Sequence, residues 1–148
     1  MKNILITGGA GYIGSILTEK LLKQEYSVTI LDTFKWGIIP ILHLINSPKL
    51  KIIKGDVRDN SHHEILSKVD TIVNLAGIVG YPACDADKWE AYDVNVKSVK
   101  EWISKISKDQ LFIQASTGSS YGKVDGICTE ETPINPITIY GSNKAEAE

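Results

Sequence analysis

Two groups of residues in this 148-residue sequence have the types and spacing to do chemistry. Near the start, Thr7-Gly8-Gly9-Ala10-Gly11-Tyr12-Ile13-Gly14 carries the overlapping patterns Gly9-x-Gly11-x-x-Gly14 and Gly8-x-x-Gly11-x-x-Gly14. Glycines between a strand and a helix permit a tight turn, let backbone approach a pyrophosphate and let the helix pack closely on the sheet. The unpaired amides of the following helix then meet phosphate charge. Asp32, at the end of the next apolar run, is where a carboxylate accepts hydrogen bonds from the hydroxyls of an adenosine ribose. A carboxylate there repels a 2′-phosphate, which favours NAD over NADP. Lys35 either reaches such a phosphate or is simply solvated, the commoner fate of a loop lysine.

Near the end, Tyr140-Gly141-Ser142-Asn143-Lys144 puts a phenol and an ammonium four residues apart, on one face of a helix. A cation beside a phenol favours phenolate and suits it to proton transfer. Such pairs are frequent on ordinary helix surfaces, so the pair gains weight only from company. Ala115-Ser116-Thr117 ends the fifth apolar run, at the edge of a parallel sheet where ligands bind, and offers the Thr117 hydroxyl to the same substrate oxygen.

The elements that must position these groups alternate. Residues 2–7, 27–31, 50–53, 71–75 and 110–115 read as strands, and Ile13, Ile16, Leu17, Leu21 and Leu22 recur at helical spacing. The clearest helical stretch runs over residues 87–106, and another begins after Pro136. This alternation predicts an α/β fold, a doubly wound parallel sheet of Rossmann type. The length suits one domain, 1–148. Ala145-Glu146-Ala147-Glu148 has no helix stop signal, so the chain reads as cut inside a longer frame or as a short product.

With 16 basic and 18 acidic residues there is no cationic excess for nucleic acid or an anionic membrane. No apolar run is long enough to span a bilayer. Cys84 and Cys128 read as free thiols in a reducing, cytoplasmic setting, with Cys84 packed and inert. His43, His62 and His63 lack metal-ligand spacing, so no metal is expected. Asp85 and Asp87 suit helix capping, and Trp89, Tyr92 and Trp102 suit core or interface packing.

Residues 7–14, Asn74-Leu75-Ala76-Gly77, Ala115-Ser116-Thr117 with Tyr121-Gly122, and Tyr140-x-x-x-Lys144 together resemble the extended short-chain dehydrogenase/reductases. Ile78-Val79-Gly80 with Pro82-Ala83-Cys84 resembles the nucleotide-sugar epimerase-like members. The resemblance implies NAD as cofactor and a nucleotide sugar as substrate. Tyr140 would be the general acid/base, Lys144 would hold the nicotinamide ribose and tune Tyr140, and Thr117 would hydrogen-bond the reacting oxygen. Gly8, Gly11, Tyr12, Ile13 and Gly14 would line the pyrophosphate, and Asp32, Thr33 and Phe34 the adenosine ribose. Asp56 and Val57 would contact the adenine, Leu75, Ala76 and Gly77 would pass under the cofactor, and Asn95 would hydrogen-bond near it. The long helix is where the family pairs subunits, implying a homodimer. Dehydrating members resemble Thr-Asp-Glu where this chain has Thr117-Gly118-Ser119, so epimerisation or simple oxidoreduction is expected over dehydration. The resemblance covers only the front half of the family's fold. The alternative expectation is therefore a truncated, non-catalytic dinucleotide-binding module.

Overall fold

The computed structural model describes residues 2–148. Five parallel strands, β1 (Asn3–Thr7), β2 (Ser27–Asp32), β3 (Leu50–Lys54), β4 (Thr71–Asn74) and β5 (Leu111–Gln114), form one sheet in the order β3-β2-β1-β4-β5. Every pairing is parallel, with Ile6 beside Ile30 on one flank and beside Val73 on the other. β1, β4 and β5 lie within the expected strands, shortened by a residue at one or both ends, whereas β2 and β3 each run one residue further because Asp32 and Lys54 still pair.

The chain winds from β1 to β2 and β3, then returns to place β4 on the far side of β1. This reversal is a topological switch point, and the carboxyl ends of β1 and β4 flank it. Strands buried on both faces read as continuous apolar runs, which is why Ile4-Leu5-Ile6 does not alternate. On one face, Ile4, Ile6, Val28, Ile30 and Val73 pack with Ile41 and with Leu17, Leu21 and Leu22 of α1 (Tyr12–Lys23). On the other, Asn3, Ser27, Thr29, Lys51 and Ile53 meet the 3-10 segment Asn60–Lys68 around a cleft of about 210 Å³. The sheet is thus Rossmann-like, with helical elements on both sides.

Helix α1 ends in a Schellman motif. Tyr26 N donates to Leu21 O (3.1 Å) and Glu25 N to Leu22 O (3.0 Å), with Glu25 left-handed at φ 68°.

The chain divides into two compact units. One comprises residues through Ala76 with Trp102–Ala115, and contains the whole sheet. The other comprises Gly77–Glu101 with Ser116–Glu148. The second unit holds α2 (Tyr81–Ala86), α3 (Lys88–Tyr92), most of α4 (Ser98–Ile103), a 3-10 turn Gly118–Tyr121 and α5 (Ile139–Glu146).

The long helix expected over residues 87–106 is not uniform. It is α3, then a π turn Asp93–Lys97, then α4, which stops at Ile103. Periodicity cannot register one inserted residue whose neighbours stay helical. Asp87 caps α3 as expected, accepting from Glu90 N at 2.8 Å. Trp102 is buried in the core, whereas Trp89 is 84% exposed, so of the expected core or interface packing only an interface would cover Trp89. Among the described residues no helix is long and apolar enough to cross a membrane.

Candidate functional site

In the sheet-bearing unit the glycine loop leaves β1 at the switch point and opens α1. Gly8 has φ 70°, and a Cβ there would lie 2.8 Å from the backbone nitrogen of Ala76. A Cβ on Gly14 would lie 2.4 Å from the carbonyl oxygen of Gly8. One glycine thus lets the loop lie against the residues after β4, and the other lets the helix sit on the loop. Gly11 precedes α1 in extended conformation with no side-chain cap, and no acidic residue occupies the first turn. The first-turn amides of an α-helix have no intrahelical acceptor, so this end presents donors and positive potential. Tyr12 and Ile13 stand exposed beside it.

Thr7 and Asn74 fix the two strand ends, a role the sequence reading did not assign them. The Thr7 hydroxyl donates to Asn74 Oδ1 and accepts from Ala76 N at 3.2 Å, while Leu75 N donates to the Thr7 carbonyl at 3.1 Å. Asn74 Nδ2 donates onward to Gln114 Oε1 at 2.8 Å. Both residues are buried polar groups at strand ends, the signal that could have found them.

Asp32 ends β2 with its carboxylate tied inward. Oδ2 accepts from Ala10 N at 3.0 Å and Oδ1 from Phe34 N at 2.8 Å. It therefore braces the glycine loop, a structural duty that spacing alone does not reveal. Each carboxylate oxygen keeps a further lone pair. Thr33 accepts from Lys35 N at 3.3 Å, and Lys35 Nζ lies 5.8 Å from the Trp36 ring centre. Arg58 grips Asp56 through two side-chain hydrogen bonds of 3.0 and 2.7 Å and holds its carboxyl below the usual range. Val57 is buried, and its carbonyl accepts the Trp102 indole N–H at 2.8 Å.

In the second unit, Asn95 sits on the π turn and is 1% exposed. Its Oδ1 accepts from Ile78 N and its Nδ2 donates to Ile78 O, both at 2.9 Å. The side-chain amide is thus spent on fixing the backbone just after Gly77. Cys84 is buried, donates to Ile78 O at 3.3 Å, and has its thiol pushed up by burial, as an inert thiol should.

Thr117 precedes the 3-10 turn in extended conformation, accepts from Ser119 N at 3.2 Å and lines a cleft of about 350 Å³ with Ser116, Ser120, Tyr121 and Glu148. Thr138 caps α5, accepting from Gly141 N at 3.0 Å. A Cβ on Gly141 would lie 2.5 Å from the Ser119 carbonyl oxygen, so this helix lies directly on the turn that carries Thr117. Tyr140 and Lys144 sit one turn apart on α5; Tyr140 is half-buried and Lys144 is 7% exposed. Burial pushes the Lys144 ammonium down, and Glu148 opposes that. Among the described residues no group of three or more His, Cys, Asp or Glu side chains could hold a metal.

The model of the NAD-dependent epimerase/dehydratase family matches residues 4–148. The chain belongs to that family. Its curated relatives include the UDP-glucose 4-epimerase of Neisseria meningitidis, 31% identical over all of this chain and 47% of the relative. A putative UDP-glucose 4-epimerase of Methanocaldococcus jannaschii is 32% identical over 98% of this chain and 48% of its own length. Among solved structures, the UDP-glucuronic acid 4-epimerase of Bacillus cereus, in complex with UDP-glucuronic acid and NAD, aligns with a TM-score of 0.90 at 28% identity. That alignment covers 98% of this chain and 49% of the Bacillus one. The NAD complex of the dTDP-glucose 4,6-dehydratase of Bacillus anthracis gives 0.86 at 29% identity, covering 99% and 48%. This family member spans about half the length of the curated relatives it matches.

Proposed function

We propose that this chain binds NAD in the glycine cradle and serves a nucleotide-sugar epimerase, in which a sugar hydroxyl is oxidised to a ketone and reduced again on the opposite face. The observation that carries the reading is the cradle itself: a loop whose Gly8 and Gly14 leave no space for a Cβ, opening an uncapped helix at the switch point.

The residues present fit the cofactor. First-turn amides of α1 would meet the pyrophosphate. The lone pairs that Asp32 keeps would accept from the ribose hydroxyls, and its charge would turn away a 2′-phosphate. Thr33 and Phe34 would flank that ribose, Asp56 and Val57 the adenine, and Leu75, Ala76 and Gly77 the underside. Asn95 would act through the Ile78 backbone it holds. When bound, NAD supplies the acceptor and donor of a hydride.

Thr117 would orient the reacting hydroxyl, and Tyr140 would take its proton and give it back. Lys144 would hold the cofactor's ribose and keep positive charge one turn from the phenol. Gly118 and Ser119 offer no carboxylates for water elimination, which supports epimerisation over dehydration. The reading takes residues 1–148 as one NAD-binding domain.

Calorimetric titration tests the cofactor half: the chain binds NAD at least tenfold more tightly than NADP. No heat at millimolar NAD sinks it. Turnover of UDP-glucose tests the rest: Tyr140→Phe lowers it about 10²–10⁴-fold, as for other positioned acid/base groups. A loss under about tenfold removes Tyr140 from that role.

A further inference from the structure

Residues 33–54, which carry the chain from β2 through the edge strand β3, hold Lys35, Lys49, Lys51 and Lys54 and no Asp or Glu. The whole chain has a net charge of -2, so this cationic excess is local and is hidden by the overall balance. The same segment contains the 3-10 helix Ile39–Leu44. Such a helix repeats every three residues, so side chains three apart share a face. Ile41 is fully buried and Leu44 packs on the core. Ile39, Leu42 and Ile45, on the adjoining face, are exposed, Ile39 by 79%. Trp36, three residues before Ile39, is 88% exposed. Core packing explains the inner face only. Large apolar side chains gathered on an outer face mark a contact surface.

The charges around this ridge identify what it meets. Lys35 Nζ lies 5.8 Å from the Trp36 ring centre. The helix packed beside the ridge, α1, carries Lys20 and Lys23 in its last turn. The carboxylates that reach the segment are paired: Glu19 with Lys23 at 2.5 Å and with His43 at 3.6 Å, and Glu25 with Lys49. A second copy docked through the same face would set like charges against each other. An anionic bilayer satisfies both features, with acyl chains for the aliphatic ridge and headgroup phosphates for the lysines. An indole settles at that boundary.

We infer that the ridge of Trp36, Ile39, Leu42 and Ile45 is a docking surface for an anionic lipid bilayer, on which the chain lies without crossing it. The ridge joins β2 to β3, at the sheet edge opposite β5, so it is distinct from the other open edge of the sheet. This role goes beyond the proposed function and stands without it.

The test is flotation of the 148-residue chain with vesicles of phosphatidylcholine, alone or mixed with phosphatidylglycerol. The chain floats with the mixed vesicles far more than with the neutral ones, and added salt weakens the association. Lys35→Gln lowers the partition roughly fivefold, the factor for one lysine near an anionic surface. Leu42→Gln lowers it about tenfold or more, the factor for withdrawing one buried leucine. Thermal melting checks that both variants fold, and Trp36→Ala replaces Leu42→Gln if that variant does not. Tryptophan emission moves to the blue on the mixed vesicles; the shift vanishes in Trp36→Phe and survives in Trp89→Phe, the other exposed indole. No flotation, equal flotation with both kinds of vesicle, flotation unaltered by the ridge variant, or a blue shift carried by Trp89 overturns the inference. So does self-association of the chain alone that the ridge variant disperses, because a second copy would then cover the ridge. NAD titration in parallel decides the proposed function separately.

Discussion

Gly14 and Gly8 show how little tolerance the cradle has, because a methyl group on Gly14 would press within 2.4 Å of the Gly8 carbonyl oxygen. Backbone on both sides cannot yield as a flexible side chain could. Gly14→Ala is therefore expected to cost about 1–3 kcal/mol of stability, the usual range for overpacking. It should also weaken NAD binding at least tenfold, read by thermal melting and calorimetry. An unaltered NAD affinity would detach the loop from the cofactor. Asn95 presents the opposite case, a buried polar group fully used. Asn95→Leu leaves the Ile78 N–H without a partner and its C=O with only the weak Cys84 thiol donor, and about 1–3 kcal/mol is the expected cost of stranding such a group. Urea denaturation measures it, and a variant as stable as the parent would show that the pair finds water instead.

Elements carry two further expectations. Just past the end of α1 stands Glu25, a residue with a Cβ in a left-handed position that glycine adopts at no steric cost. Glu25→Gly should raise stability by about 0.5–1 kcal/mol, even though it removes the exposed ion pair with Lys49. A lower melting temperature would mean that this ion pair outweighs the backbone penalty. Strand β5 ends the sheet, with Leu111 55% and Ile113 44% exposed on one of its faces. An apolar edge strand with unpaired backbone groups invites pairing with another chain. Ile113→Lys should reduce self-association in light scattering without altering the melt. Equal scattering from both proteins would place the association elsewhere.

For the molecule as a whole, several carboxylates lie below their ordinary range because a partner favours the charged form. Hydrogen bonding from Arg58 does this for Asp56, from Lys23 for Glu19, and from Lys100 and Tyr92 for Glu146. In each the folded form binds its proton less readily than the unfolded one. Their stabilisation is complete above the unfolded carboxylate range and is lost as pH falls through the folded one. Urea midpoints should thus decline between about pH 5 and pH 3, and Asp56→Asn should flatten the slope. Lys144 acts in the opposite pH range: burial lowers its proton affinity in the fold, so its penalty lifts as pH rises through its folded titration.

How much of this was legible beforehand depends on the range of the interaction. Strand–helix alternation, the glycine cradle, Asp32 at the end of β2 and the shared face of Tyr140 and Lys144 are local patterns. Each is written in residues a few positions apart, so the sequence by itself determined the fold class and the candidate chemistry. The π turn under Asn95, the brace from Asp32 to Ala10, the Thr7–Asn74 clasp and the exposure of Trp89 were decided only by the tertiary structure. Those features depend on which backbone groups meet across tens of residues, and a polar side chain's local spacing does not say which distant N–H or C=O it will satisfy.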